Sequence, residues 1–378
     1  MARETEQLPL PVMSPGTRRT LTVHRYGATS ARPKAYLHAG LHADELPGMV
    51  VLQRLIERLD EAEAAGEITG QIVVVPYANP IGLAQRDRDQ HQGRYDFASG
   101  ANFNRDFADV SDEVVGRLRD RLGRDPAINV PMIRTALTEA VAERPAVGDV
   151  AWLRRALLAL AIDADIVLDL HCDSESVVHL FMGEELWPAG SDLAAELQAE
   201  AVLLASDSGS GPFDEACSMP WWRLGQAYGD AVPAACLSAT VELRGEADVG
   251  GAWATQDAKA LFRFLQRRGV IAGSPGPLPT PICDATPLSG AEMVKAPLTG
   301  IVDYRVVPGA HVKAGQVVAE IVDPAAADPR QGRTPIASQT DGVLYGRMAR
   351  RLVRPGETIC KIAGARPRPE RTGKLLED

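Results

Sequence analysis

No apolar run in the 378 residues approaches the roughly 20 needed to cross a bilayer. That excludes a helical membrane span and leaves the membrane out of the expected partners. The N-terminal stretch MARETEQLPLPVMSPG has acids and prolines where a secretory signal needs an apolar core, so a cytoplasmic location is expected. Basic charge is also short. Forty Lys and Arg face 50 Asp and Glu, for a formal net charge of −10. Binding a phosphate backbone needs a basic face, so no nucleic-acid partner is expected. Cysteine is scarce too. The five (Cys172, Cys217, Cys236, Cys283 and Cys360) are scattered, odd in number and form no CxxC pair. Neither a disulfide framework nor a thiolate zinc site is indicated, and any metal must be held by His and carboxylate.

What is present is an ordinary globular mixture, 45% hydrophobic and 24% charged. The length exceeds one usual core, which points to two domains. Strand candidates are KAYLHA (34–39), QIVVVPYA (71–78), DIVLDLH (165–171) and LSATVEL (237–243), several apolar on both faces as in a covered sheet. Helical periodicity is expected over 45–59, 130–141, 150–161, 193–204 and 254–268. The alternation predicts an α/β domain, residues 1–270, with a mostly parallel or mixed sheet flanked by helices. A Pro/Gly cluster, GSPGPLPTP, marks a linker over 271–289. Residues 290–366 read as a smaller all-β domain, and 367–378 as a flexible tail.

The β region carries a weak internal repeat. APLTGIV (296–302) answers to SQTDGVL (338–344), and VPGAHVKAGQVVAEI (307–321) to RPGETICKI (354–362). The pattern resembles the biotinyl/lipoyl barrel-sandwich fold, which carries its cofactor on a hairpin lysine. The corresponding hairpin here, VDPAAADPRQGRTP, contains no lysine, and Lys295 lies before the first half. A carrier role is therefore disfavoured against a lid or an oligomerisation module.

Four stretches carry candidate chemistry. LHAGLHADELPG (37–48) places His42 and Glu45 three apart where a strand gives way to a helix, a spacing that lets an imidazole and a carboxylate meet one cation. Alone, HxxE more often marks a polar loop whose acid favours a helix N-terminus. DIVLDLHCDSES puts His171 at the end of another buried strand. Two His and one Glu would leave a fourth position for water, as catalytic zinc sites do. SATVELRG sets Glu242 in an apolar strand, where an acid is costly without a partner or a task. It could move protons as general base and acid, or simply pair with Arg244. GRYDFASGANFNRDF carries Arg94, Asn104 and Arg105, suited to a carboxylate or a developing oxyanion, or to pairing with Asp96 and Asp106.

In this order the motifs resemble the succinylglutamate desuccinylase/aspartoacylase family of the zinc carboxypeptidase superfamily, over about residues 30–270. GLHADELPG is similar to the family's GxHGDExxG, with Ala43 for a glycine. NFNRDF is similar to its DLNRxF, with Asn102 for Asp and Phe103 for Leu. The tail also looks like that family's C-terminal domain. The resemblance implies one zinc per subunit on His42, Glu45 and His171. It implies Glu242 as general base and acid, Asn104 and Arg105 on the substrate carboxylate, and Arg94 on the oxyanion, with Arg86 and Arg88 as competitors for that last role.

Lesser candidates are His38 and His179 as strand residues, His91 near the substrate, and Cys172 as inert packing that points away from the site. SDSGSGPFD (206–214) reads as a flexible pocket wall, which Trp221 and Trp222 could shape. The expected function is zinc-dependent removal of an acyl group from an N-acyl amino acid or similar small amide. Two alternatives are a metallocarboxypeptidase acting on short peptides and a non-catalytic metal-binding or carrier module. The expected partner is the small-molecule substrate, and an exposed barrel edge would favour a homo-oligomer.

Overall fold

The computed structural model describes residues 3–376. Its centre is a nine-stranded mixed sheet built from β1 (Glu4–Pro9), β2 (Thr20–Tyr26), β3 (Lys34–Ala39), β4 (Gln71–Val75), β5 (Ile166–Asp173), β6 (His179–Met182), β7 (Ala201–Leu204), β8 (Leu237–Gly245) and β9 (Ala285–Pro287). The spatial order is β1-β2-β4-β3-β5-β8-β6-β7-β9. The middle strands β4, β3, β5 and β8 are parallel, as their continuous apolar character indicates. Antiparallel pairings enter at β1–β2, β2–β4 and β8–β6.

Helices cover both faces. On one face α1 (Pro47–Ala64), α5 (Ser191–Leu197) and α7 (Gly251–Arg267) enclose a core. On the other, α2 (Ser111–Leu118), α3 (Pro126–Glu143), α4 (Asp149–Ala161) and α6 (Phe213–Tyr228) enclose a second. Strand alternation sorts the side chains between them. In β5, Ile166, Leu168 and Leu170 join the first core and Val167 the second. Asp169 and His171 therefore share the second face. In β8, Ala239, Val241 and Leu243 join the first core, which turns Thr240 and Glu242 to that same second face.

One expected element is corrected. The helix foreseen over 193–204 ends at Leu197, Gln198 turns into the left-handed region at φ 51°, and Ala201–Leu204 is strand β7. Local composition favours a helix, but parallel pairing with β6 wins. Similarly, the end of the Pro/Gly segment, Ala285–Pro287, pairs in parallel with β7 and closes the sheet edge.

Residues 292–364 form two antiparallel sheets around their own apolar cluster. The internal repeat appears as an exchange: Gly300–Tyr304 pairs with Leu352–Val353, and His311–Val312 with Gly342–Arg347. These sheets are stitched to the continuation of β5. The short strand Glu175–Ser176 pairs antiparallel with Gly342–Arg347. Lys361 Nζ lies 2.6 Å from Asp173, and Arg347 and Arg351 each lie 2.6 Å from Glu175.

Candidate functional site

His42 and Glu45 sit in the turn between β3 and α1, where the Glu45 N–H donates to the His42 carbonyl. Pro47 opens the helix and fixes its entry. Gly48 then lets the helix lie close. A Cβ there would stand 3.0 Å from both Ala39 Cβ and Leu170 Cβ, side chains of the two strands that flank the site.

His171 closes the group from β5. Its Nδ1 is 2.6 Å from Glu45 Oε2, and His42 Nδ1 is 3.0 Å from Glu45 Oε1. One donor atom from each of the three residues lies within 4.8 Å of the other two, and all three residues are buried. Ligands of one tetrahedral ion with bonds of about 2.1 Å stand roughly 3.4 Å apart, so the two imidazole–carboxylate contacts would open slightly to admit a cation. The outer ring nitrogens support this. His42 Nε2 is 2.8 Å from Asn102 Oδ1, and His171 Nε2 is 2.8 Å from Asp169 Oδ1. Acceptors on Nε2 hold the protons there and turn both Nδ1 lone pairs inward, as a metal requires. The group could hold a metal.

Electrostatics agree. Burial and Arg94 push the His42 imidazole down to about 4, so it is neutral. Burial opposes charge on His171, but Asp169 and Glu45 outweigh it and hold this imidazole protonated well above its ordinary range. Burial likewise opposes ionisation of Glu45, yet His42 and His171 keep its carboxyl well below the usual range. Positive charge is thus wanted between Glu45 and His171, where a proton stands in for a cation.

Asp169 completes this arrangement, and sequence reading passed over it. It accepts from His171, from His38 Nε2 at 2.6 Å and from Asn104 Nδ2 at 3.1 Å, all fully out of water. The signal was available, because residues two apart in a strand share a face. Asn104 proves to be a brace. Its amide nitrogen reaches Asp169 and its oxygen accepts from the Phe213 N–H at 2.9 Å. Arg105 Nη1 donates to the Asn104 carbonyl, and the side chain borders the cavity.

Glu242 is beside His171 in the β5–β8 register. Its carboxyl is buried and Oε2 has no hydrogen-bond partner among the described residues. Burial and the nearby Glu45 push it up to about 8. Arg244 is not its partner; that guanidinium pairs with Asp257. Arg94 Nη1 is 3.1 Å from Glu45 Oε1 and 3.1 Å from His42 Nδ1. It is placed by Gly93, where a Cβ would stand 2.1 Å from the Asp44 nitrogen, so the two loops touch through bare backbone. The long segment from Arg94 to Asn104 does not separate them. Tyr95 bridges to Asn102 and the Phe103 N–H donates to the Arg94 carbonyl, so the extra residues loop outward. Arg86 and Arg88 lie exposed on a two-stranded hairpin and do not border the cavity.

The cavity has a volume of about 750 Å³ and is bordered by all seven expected residues: His42, Glu45, Arg94, Asn104, Arg105, His171 and Glu242. Cys172 borders it too, with its thiol pushed up by burial. Its N–H donates to Glu45 Oε2 at 3.3 Å. The 206–214 loop supplies a wall through Pro212 and Asp214, and it is pinned rather than loose. Ser210 and Gly211 carbonyls accept from the Asp106 and Phe107 N–H groups. Trp221 packs inside the second core instead, and His91 donates from Nε2 to the Gly82 carbonyl outside the cavity. His38 and His179 are fully buried strand residues. Lys361 and Tyr345, from the C-terminal sheets, border the cavity without any sequence motif to announce them.

Residues 31–128 match the model of the succinylglutamate desuccinylase/aspartoacylase catalytic domain, which bears out the resemblance. The match spans His42 to Arg105 and stops before His171 and Glu242. The N-alpha-acetyl-L-2,4-diaminobutyric acid deacetylase of Halomonas elongata is 27% identical over 341 residues, 88% of this chain and 82% of that protein. A solved structure of a succinylglutamate desuccinylase/aspartoacylase family protein from Shewanella amazonensis superposes with a TM-score of 0.84 at 26% identity, covering 95% of this chain and 98% of the other. The product-bound ectoine utilization protein EutE (DoeB) of Ruegeria pomeroyi shares the fold at 16% identity, with a TM-score of 0.68 over 96% and 95% of the two chains.

Proposed function

The chain carries the catalytic-domain signature of the succinylglutamate desuccinylase/aspartoacylase family, and on that premise we propose that it is a zinc-dependent amidohydrolase that removes the acyl group from an N-acyl amino acid. The observation that carries the reading is the buried His42–Glu45–His171 group with an unpartnered carboxyl, Glu242, next to it on the sheet. His42 and His171 through Nδ1, with Glu45, would hold the zinc. When bound, zinc supplies a Lewis acid and lowers the pKa of water at the site to near 7.

The protein's own groups do the rest. Positive charge beside Glu45 would offset the repulsion that raises Glu242 and let it ionise. Glu242 then accepts a proton from the attacking water and delivers it to the departing amine nitrogen, completing hydrolysis of the C–N bond. Its orphaned oxygen has no competing donor to satisfy. Arg94 donates to the carbonyl oxygen as it gains charge. Arg105 holds the substrate carboxylate, and Asn104 fixes the backbone that presents it by bracing Asp169 and Phe213. The C-terminal sheets wall the cavity, which supports a small substrate over an extended peptide.

Amine release from N-acyl amino acids and dipeptides tests the reading. N-acetyl-L-2,4-diaminobutyrate, the substrate in the Halomonas relative's name, belongs in the panel. Zinc-loaded protein should turn over an acyl amino acid, and Glu242→Gln should lose roughly 10²–10⁴-fold in kcat while keeping its zinc. His42→Ala should lose zinc by elemental analysis. Turnover confined to dipeptides would favour the peptidase reading.

A further inference from the structure

The cavity is larger than an acetylated amino acid needs. Its volume of about 750 Å³ falls in the range of roughly 300–1,000 Å³ that houses drug-sized ligands. Its polarity is also divided, and the sheet register shows how. Directly paired residues of neighbouring strands point to one face. Asp169 pairs with Thr240, Thr240 with Phe181, and Phe181 with Leu203. Along this single row the side chain changes from carboxylate to hydroxyl to phenyl to isobutyl. The row starts under the candidate metal group and runs away from it across β8, β6 and β7.

At the far end, apolar side chains line the cavity. Phe181, Ala205, Met293, Met348 and Leu376 border the cavity and remain only half-buried, while Leu203, Leu288 and Tyr345 also border it and are buried. Most belong to one apolar cluster formed where the C-terminal sheets meet β6, β7 and β9. Pooled apolar surface inside a cavity, contiguous with a reaction centre, is a binding feature rather than a folding one. Two of the exposed side chains are methionines, whose flexible thioethers fit varied apolar shapes.

We propose that this is an apolar lobe for the substrate, and that the preferred substrate carries an aliphatic or aromatic group of several carbons on one side of the scissile amide. The proposal rests on the deacylase reading above and narrows it. The same apolar chemistry could come from the acyl chain or from the amino acid side chain.

Two substrate series separate these sources. One lengthens the acyl group on alanine from acetyl through butyryl and hexanoyl to octanoyl. The other keeps acetyl and changes alanine to norvaline, leucine and phenylalanine. Burying one methylene corresponds to roughly fourfold in affinity, so kcat/KM should climb about threefold to fourfold per carbon in one series. The series that climbs identifies the source. Met293→Glu and Phe181→Asn should each shrink the ratio between the longest and shortest members of that series by at least tenfold. Calorimetric titration of octanoate and of L-phenylalanine into the metal-free protein provides a reading independent of turnover. One of them should bind the wild type and not Met293→Glu. Turnover of the acetyl compounds with flat or falling length dependence in both series overturns the lobe and leaves the deacylase. No turnover anywhere, with probe binding that Met293→Glu abolishes, overturns the deacylase and leaves the lobe. Selectivity untouched in both variants overturns the lobe.

Discussion

A buried imidazole serves a metal well when its second nitrogen is committed elsewhere. Asp169 does this for His171, and Asn102 for His42. Replacing such an outer partner typically costs 10–100-fold in metal affinity. Asp169→Asn should therefore weaken zinc binding by about that factor in a chelator competition, with the far-ultraviolet spectrum unchanged. Undiminished affinity would remove Asp169 from this role. A different residue governs stability with pH. Burial, then Asp214, push the Glu215 carboxyl up to about 8. The folded state thus holds this proton more tightly than the unfolded chain, whose carboxyl titrates near 4.5. Its contribution is complete below pH 4.5, is lost as pH rises towards 8, and is constant above that. Asp214, raised to about 6 mainly by burial, acts in the same direction. Glu215→Gln keeps an acceptor for the Ser208 N–H and removes one titration. Its unfolding free energy from urea titration should exceed that of the wild type at pH 8, by on the order of a few kcal/mol, and match it near pH 4.5. Parallel curves at both pH values would contradict the assignment.

At the scale of elements, the polar strand residues of the site fall on one sheet face, and simple alternation puts them there. The sequence shows apolar residues at every second position of β5 and β8, leaving Asp169, His171, Thr240 and Glu242 in between. That much was legible. The false helix over 193–204 was not avoidable by local reading, because Ala, Leu and Glu are good helix formers and only the neighbouring strand β6 turns the segment into β7. Loop contacts are equally hidden. Gly93 approaches Asp44 across a sequence gap with no pattern to show it. Gly93→Ala would put a methyl 2.1 Å from the Asp44 nitrogen and force the loops apart. A shift of about 1 Å at a reacting group can cost on the order of 10²-fold. The expected outcome is a fall of that order in kcat with an overpacking loss of about 1–3 kcal/mol in urea unfolding. Wild-type kcat would mean that Arg94 reaches its place without this contact.

For the whole molecule, the C-terminal sheets are part of the cavity rather than an appendage. They reach the end of β5, beyond His171, through Glu175 and Asp173, which take three guanidinium or ammonium contacts at 2.6 Å. The Glu175 pairs are partly exposed, so each is worth about 0–1 kcal/mol. Glu175→Ala should lower global stability by only about 1 kcal/mol while loosening the cavity roof. KM should rise more than kcat falls, and the effect of the mutation should shrink at high salt. A pure kcat loss would contradict a roofing role. Among the described residues no helix is long and apolar enough to cross a membrane.

The sequence by itself determined the mixed α/β fold with a β-rich C-terminal part, and the order of the motifs that bear the family likeness. Both follow from short-range rules: periodicity, turn chemistry and spacing within one strand or one turn. Only the tertiary structure decided that Asp169 orients His171, that Asn104 braces it, that Arg94 rather than Arg86 or Arg88 borders the cavity, and that Lys361 reaches Asp173 from 188 residues away. Those depend on which strands become neighbours and how their registers align. Pairing between distant segments is decided by the summed burial of whole faces, and no local stretch of the chain records it.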